Sequence, residues 1–389
     1  MPDSNTTKNY KLISMLIVLC VVGSYLGILF IVQMFTGSSS LAHLLNSKHT
    51  MNKHQEELME KILRDPHFNN IGIDEYISEV EKIITMENKR SLGKWVSFKS
   101  FTPNVSGKYI TTNDYGMRSK WNLKEMVQRA RNNRSKGVRN IIILGGSVAF
   151  GYGAVDDKNT ISGVLNNMLK EDGYEVFNLA QGGYTSFMDL FSLSAIGLYL
   201  EPDIIIVMEG YADTYHLFYE SRGGELAWGL FSESEKQLDP EFSLNFHYQN
   251  LDAILRLGSH RSRKVILALQ PLSGFENNSI IENEKIKKMW GFYPRIREMM
   301  QLAAKNNNSK FIDLSVIFKK EKNSSINFFD KAHLTGSGQK KVAEFLVKTI
   351  KNLSDQKSKY VDLFQSREEQ IKNILEEDFS GQYKTVEDY

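Results

Sequence analysis

Three side chains of this 389-residue sequence have the types and surroundings that acyl transfer requires. Ser147 follows Gly145 and Gly146, directly after the apolar run Ile141-Ile142-Ile143-Leu144. A short apolar run closed by glycine reads as a buried strand of a parallel sheet, and open α/β sheets keep their binding crevice at the carboxyl ends of such strands. A serine hydroxyl is a poor nucleophile without a base. His333 is placed to be one, because Asp330 precedes it by three residues. On one turn, a carboxylate at that spacing holds one imidazole nitrogen and leaves the other for Ser147. Alone, Ser147 could equally fill a Gly-Gly-Ser turn or cap the next helix, and His333 could be a surface loop residue. The combination is what points to a nucleophile and its base.

The elements that must position these groups follow from periodicity. From residue 138 onward, strands are expected at 139–145, 174–179, 203–208, 264–269 and 310–314, and helices at 157–172, 186–200, 241–257, 290–305 and 336–353. Strands alternating with helices of this length imply βαβ crossovers and a doubly wound parallel sheet covered on both faces. Two stretches interrupt the alternation, 211–239 and 271–289, each directly after a strand and hence over the crevice. Their aromatic residues either shape a substrate pocket or pack as a small core of their own.

Four blocks in order resemble the SGNH (GDSL-like) hydrolase superfamily. Gly146-Ser147-Val148-Ala149-Phe150-Gly151 resembles its first block, the stretch from Asn178 through Gly183 to Thr185 its glycine block, and Asp330-Lys331-Ala332-His333 its last. Glu209-Gly210-Tyr211-Ala212-Asp213 stands where the family usually has Gly-x-Asn-Asp. The similarity covers residues 138–353. Thr112-Asn113-Asp114-Tyr115-Gly116-Met117-Arg118 also resembles an Asn-x-x-Gly-x-Arg segment of membrane-linked relatives, and reads independently as a turn with Gly116 at positive φ. The resemblance implies a flavodoxin-like three-layer sandwich, an α/β fold. It implies a Ser147–His333–Asp330 triad that cleaves acyl esters without a cofactor or metal. The backbone N–H groups of Ser147 and Gly183 are the candidate oxyanion donors, and Gly146, Tyr211, Ala212 and Asp213 the candidate pocket positions. The family's third donor is an asparagine side chain, and Ala212 cannot replace it; Tyr211, Gln181 or Asn283 could. Asp213 reads as an anchor for its loop.

Composition limits the alternatives. A formal net charge of +2, with both signs interspersed, gives no reason to expect a nucleic-acid partner. The single cysteine, Cys20, permits no internal disulfide and no cysteine metal site. His43, His49, His54 and His67 are scattered on a polar helical stretch, where solvated side chains are the default. The glycines around Ser147 lack the Gly-Lys-Ser/Thr of a phosphate-binding loop and do not fit the dinucleotide spacing.

Residues 12–35 carry no charge and, as a helix, would extend ~36 Å, enough for a bilayer core of ~30 Å. A cleaved signal peptide is the alternative, although its apolar core is usually ~7–15 residues. Lys8 and Lys11 before the span favour a cytoplasmic N-terminus and an extracytoplasmic body. The expected organisation is therefore 1–11 cytoplasmic, 12–35 transmembrane, 36–135 a membrane-proximal helical stalk with small strands, 136–353 the hydrolase-like domain, and 354–389 a charged helix and tail. On this reading the chain is a membrane-anchored esterase acting on an O-acylated, O-acetylated above all, extracytoplasmic glycan or lipid. An O-acyltransferase using the same triad, and a weakened domain that binds a glycan or assembly partner, are the alternatives. Protein partners are not specified.

Overall fold

The computed structural model describes residues 97–219, 240–260, 263–273, 284–319, 324–328 and 330–354, the strand at 88–91, and the helical residues Glu75, Tyr76, Glu79, Lys82 and Ile83. The expected span at 12–35, the histidine-bearing stretch before residue 75 and the tail beyond 354 lie outside the described residues. Among the described residues, no helix is long and apolar enough to cross a membrane.

An antiparallel pair, β1 (Asn88–Ser91) and β2 (Ser97–Ser100), precedes the main sheet. The sheet itself is parallel and five-stranded. Its members are β3 (Arg139–Gly145), β4 (Tyr174–Asn178), β5 (Ile204–Glu209), β6 (Lys264–Leu269) and β7 (Lys310–Asp313), in the spatial order β4-β3-β5-β6-β7. This is the flavodoxin-like order, and the chain reverses direction across the sheet between β3 and β5. Loops leaving those two strands therefore diverge and open a crevice at their carboxyl ends. The register from Ile141↔Ile204 to Gly145↔Met208 aligns both strand ends at that crevice.

The strands form because they are apolar without interruption. Every residue of β5 is buried, as a sheet covered on both faces requires. Side chains alternate across the sheet. Ile142, Leu144, Ile205, Val207 and Leu267 join a core with residues of α1 (Leu123–Ser135), α4 (Ser186–Ala195), α6 (Pro240–Ser259) and α7 (Glu284–Asn306). On the other face α3 (Ile161–Leu169) packs against α8 (Gly336–Ser354). The short helices α2 (Ser147–Phe150) and α5 (Tyr211–Tyr219) follow β3 and β5 directly. Helix α1 starts on a capping box, with the Asn122 side chain accepting from the Glu125 N–H and the Glu125 carboxylate from the Asn122 N–H.

Three local expectations differ from the structure. The stretch 271–289 is not all connection, because α7 begins at Glu284. The sequence placed its start at residue 290, and Pro294 lies inside the helix. Burial of Met289, Trp290, Tyr293, Ile296 and Met300 at helical spacing extends the helix ahead of it instead. The stretch 211–239 begins as helix α5; residues 220–239 lie outside the described residues. Of the small strands expected within 36–135, the one the sequence suggests at Tyr109 to Thr112 is only an isolated bridge, Ser106↔Thr111. The N–H groups of Lys108, Tyr109 and Ile110 donate instead to the Glu79 carboxylate, and that of Val105 to Thr112 Oγ1.

Candidate active site

Strand β3 delivers Ser147 through two glycines, the first of which has no room for a side chain. Gly145 has φ +141, and a Cβ there would fall 2.4 Å from the Met208 carbonyl oxygen of the paired strand. Gly146 then caps α2, so Ser147 is its first residue. The backbone N–H of Ser147 has no intrahelical acceptor at that position.

His333 meets it from the far end of the chain. Ser147 Oγ lies 2.7 Å from His333 Nε2, and His333 Nδ1 lies 2.6 Å from Asp330 Oδ2. Asp330 Oδ1 accepts the backbone N–H groups of Ala332 and His333, both at 2.8 Å. Burial alone would raise this carboxyl. The charge of the neighbouring imidazole and these hydrogen bonds outweigh it, so its pKa lies below the usual carboxylate value. An ionised Asp330 fixes the proton on Nδ1 and leaves the Nε2 lone pair for the serine O–H. The segment is fastened on both sides: Thr335 donates its N–H to the Asn327 carbonyl and its hydroxyl to that of Ile326, just ahead of α8. The ring of Tyr152 packs against the imidazole with centroids 4.5 Å apart.

The candidate oxyanion turn lies across the crevice. Gly183 has φ +73, and a Cβ built on it would meet nothing within 4 Å. A Cβ on Gly146 would fall 3.3 Å from the Tyr184 carbonyl oxygen and 3.8 Å from the Ala212 Cβ. The structure therefore brings together the serine turn, the 183–184 turn and Ala212, with a methyl group where the resemblance calls for an amide. Of the substitutes considered, Gln181 points elsewhere: its Oε1 accepts the Phe101 N–H and its Nε2 donates to the Tyr115 carbonyl, both behind the turn. Tyr211 packs against Tyr215, with ring centroids 5.7 Å apart. Asn283 lies outside the described residues.

Asp213, given above both as a candidate pocket position and as a loop anchor, is buried, and its partners were not foreseen. Its carboxylate accepts the N–H and hydroxyl of Ser186, the first residue of α4, and lies 3.1 Å from His247 Nδ1 on α6. Asp189 and Glu209 are buried beside it. Burial, followed by the charges of Asp189 and Asp213, pushes the Glu209 carboxyl well above its usual range. Burial likewise pushes Asp189 up to about 7. Asp213 moves the other way: burial would raise it, but His247 and the surrounding hydrogen bonds hold it low. The one signal available in the sequence was a glutamate ending an apolar strand, a place where a charge is costly.

No protein-family model matches the chain, and no curated protein does. Among solved structures, the chain is similar to the acetyl xylan esterase AlAXEase, at 18% identity, covering 54% of this chain and 99% of that one, with a TM-score of 0.40. It is similar to the lipase/acylhydrolase from Enterococcus faecalis at 17% identity, covering 55% and 96%, with a TM-score of 0.40. A catalytic mutant of Axe2, an acetylxylan esterase from Geobacillus stearothermophilus, gives 15% identity, 54% and 93% coverage, and a TM-score of 0.42. Similarities of this size say nothing of activity, which the site's geometry must carry.

Proposed function

We propose that the chain is a serine esterase of the SGNH (GDSL-like) type. The observation that carries this reading is the continuous line from Ser147 Oγ through His333 to Asp330, at 2.7 and 2.6 Å, between groups 186 residues apart in sequence. Ser147 Oγ attacks the acyl carbonyl carbon while His333 Nε2 takes its proton. The tetrahedral oxyanion is held by the N–H groups of Ser147 and Gly183. Collapse expels the alkoxide, which takes the proton back from the imidazolium, and leaves an acyl-serine. Water, deprotonated by the same nitrogen, releases the acid.

The substrate class we assign is an O-acylated glycan or lipid, with acetyl as the acyl group, outside the cytoplasm. The uncharged run 12–35 preceded by Lys8 and Lys11 supports a single-pass anchor with the main body extracytoplasmic. If a sugar hydroxyl replaces water in the second step, the same machinery transfers the acyl group.

A second reading is favoured by Ala212. Removing one oxyanion donor costs ~10²–10³-fold in kcat, and a domain so weakened could serve to bind a glycan. Hydrolysis of p-nitrophenyl acetate by the wild type, Ser147→Ala and His333→Ala decides between them. The esterase reading expects turnover that both substitutions abolish; activity equal in all three proteins overturns it.

A further inference from the structure

The oxyanion turn is built against a residue that lies well ahead of the four blocks. A Cβ on Gly182 would fall 2.0 Å from Phe101 Cζ, so the Phe101 ring lies directly on the backbone that precedes the Gly183 N–H. The same ring meets Phe150, the last residue of α2, edge-on with centroids 4.5 Å apart. The Phe101 N–H donates to Gln181 Oε1 at 3.2 Å, and Gln181 Nε2 donates to the Tyr115 carbonyl at 3.0 Å. Gly116, at φ +72, lets that loop close on the Phe101 carbonyl, which a Cβ would meet at 2.1 Å.

The other end of the segment holds the opposite wall. Arg118 is buried and donates from Nη1 to the Gly151 carbonyl at 2.6 Å, and from Nη2 to the carbonyls of Tyr109 and Ala154 at 3.1 and 3.4 Å. Its Nε donates to Asp157 at 2.6 Å. Between Gly151 and Ala154 lies Tyr152, the residue whose ring packs on His333. Helical residues further upstream brace both parts, Tyr76 donating to the Ala154 carbonyl of the 151–154 loop and Glu79 accepting the backbone N–H groups at 108–110.

We propose that residues 101–118 are a clamp for the reaction centre, in which Phe101 is a positioning residue for the oxyanion turn and Arg118 for the loop that packs on His333. The inference rests on the esterase reading for its catalytic consequence, though not for its mechanical one. An oxyanion donor acts only if it is fixed where charge develops, so a displaced turn lowers kcat while ground-state binding changes little. Phe101 rests on the backbone at 181–183 and on Phe150 of α2, and its effect passes through those two contacts.

The test compares full-length wild type, Phe101→Ala, Phe101→Leu and Arg118→Lys in p-nitrophenyl acetate hydrolysis and in hydrogen–deuterium exchange read by peptide. Phe101→Ala is expected to lose on the order of 10- to 100-fold in kcat, as small misplacements at a site do, with KM within about twofold. Phe101→Leu, which keeps an apolar wedge, is expected to recover most of it. Exchange is expected to rise at 180–186 in Phe101→Ala and at 150–155 in Arg118→Lys, with the core of the sheet unchanged. A kcat for Phe101→Ala equal to wild type, or unchanged exchange at 180–186, overturns the clamp. Should Phe101→Ala not fold, Phe101→Leu carries the same two readouts with a smaller loss. Absence of Ser147-dependent turnover in the wild type overturns the esterase reading, and exchange alone then decides the clamp.

Discussion

The two carboxylate oxygens of Asp330 are divided between the two ends of His333, Oδ1 taking its backbone N–H at 2.8 Å and Oδ2 facing its Nδ1 at 2.6 Å. In Asp330→Asn the amide oxygen can still accept the backbone N–H groups, so the loop keeps its shape. The amide nitrogen then faces Nδ1 as a donor and drives the hydrogen to Nε2, the wrong nitrogen for taking a proton from Ser147. We expect kcat to fall by about 10⁴-fold, with the thermal unfolding midpoint little changed. A loss below tenfold would mean that the imidazole is not the base.

Ala212 gives the most direct gain-of-function experiment. Its methyl lies beside Gly146, on the side of the crevice where an amide donor is missing. Ala212→Asn is expected to raise kcat for an acetyl ester by ~10²-fold if the new amide reaches the oxyanion. Steady-state kinetics check it; an unchanged kcat would show that an amide at 212 adds no oxyanion donor.

The glycines separate strain from collision. Gly183→Ala meets nothing within 4 Å and so carries only the left-handed backbone penalty, about 1–2 kcal/mol. Gly145→Ala adds a Cβ 2.4 Å from the Met208 carbonyl oxygen and must push β3 from β5. Chemical denaturation should find Gly183→Ala folded and modestly destabilised, and Gly145→Ala destabilised by considerably more. Equal losses would contradict the packing described.

The buried carboxyls give a pH signature. Asp189 and Glu209 have folded-state values raised by burial, Asp189 to about 7. Their contribution to stability is full below the unfolded values near pH 4 and is lost as pH rises through the folded ones, because the unfolded chain ionises first. For each proton held only by the folded state the slope is about 1.4 kcal/mol per pH unit. Glu209→Gln, which stays neutral throughout, should flatten the fall in unfolding free energy above the unfolded glutamate value of ~4.3. Parallel slopes in wild type and variant would place that proton elsewhere.

Much of the sheet was legible because buried parallel strands are apolar without interruption. β6 (Lys264–Leu269) and β3 (Arg139–Gly145) fall where the sequence put them. The start of α7 was not, because its first turns, Glu284 to Met289, are mostly charged and the burial that extends the helix depends on tertiary packing. Ser147, His333 and Asp330 were found by residue type and spacing, and the structure brings them together. The Asp189–Glu209–Asp213 group was hidden because carboxylates look like surface residues until neighbouring helices bury them. The packing of Phe101 on Gly182 was hidden for a different reason: it joins positions about 80 residues apart and leaves no periodic trace.

The central claim is that Ser147 is a nucleophile activated by His333, and covalent labelling reads it without assuming a substrate. Full-length protein treated with a fluorophosphonate and digested for mass spectrometry should carry the phosphonyl adduct on the peptide containing Ser147. Labelling should disappear in Ser147→Ala and slow by at least 10²-fold in His333→Ala, the scale of general-base assistance. An unlabelled wild-type protein, or equal labelling of wild type and His333→Ala, would contradict it.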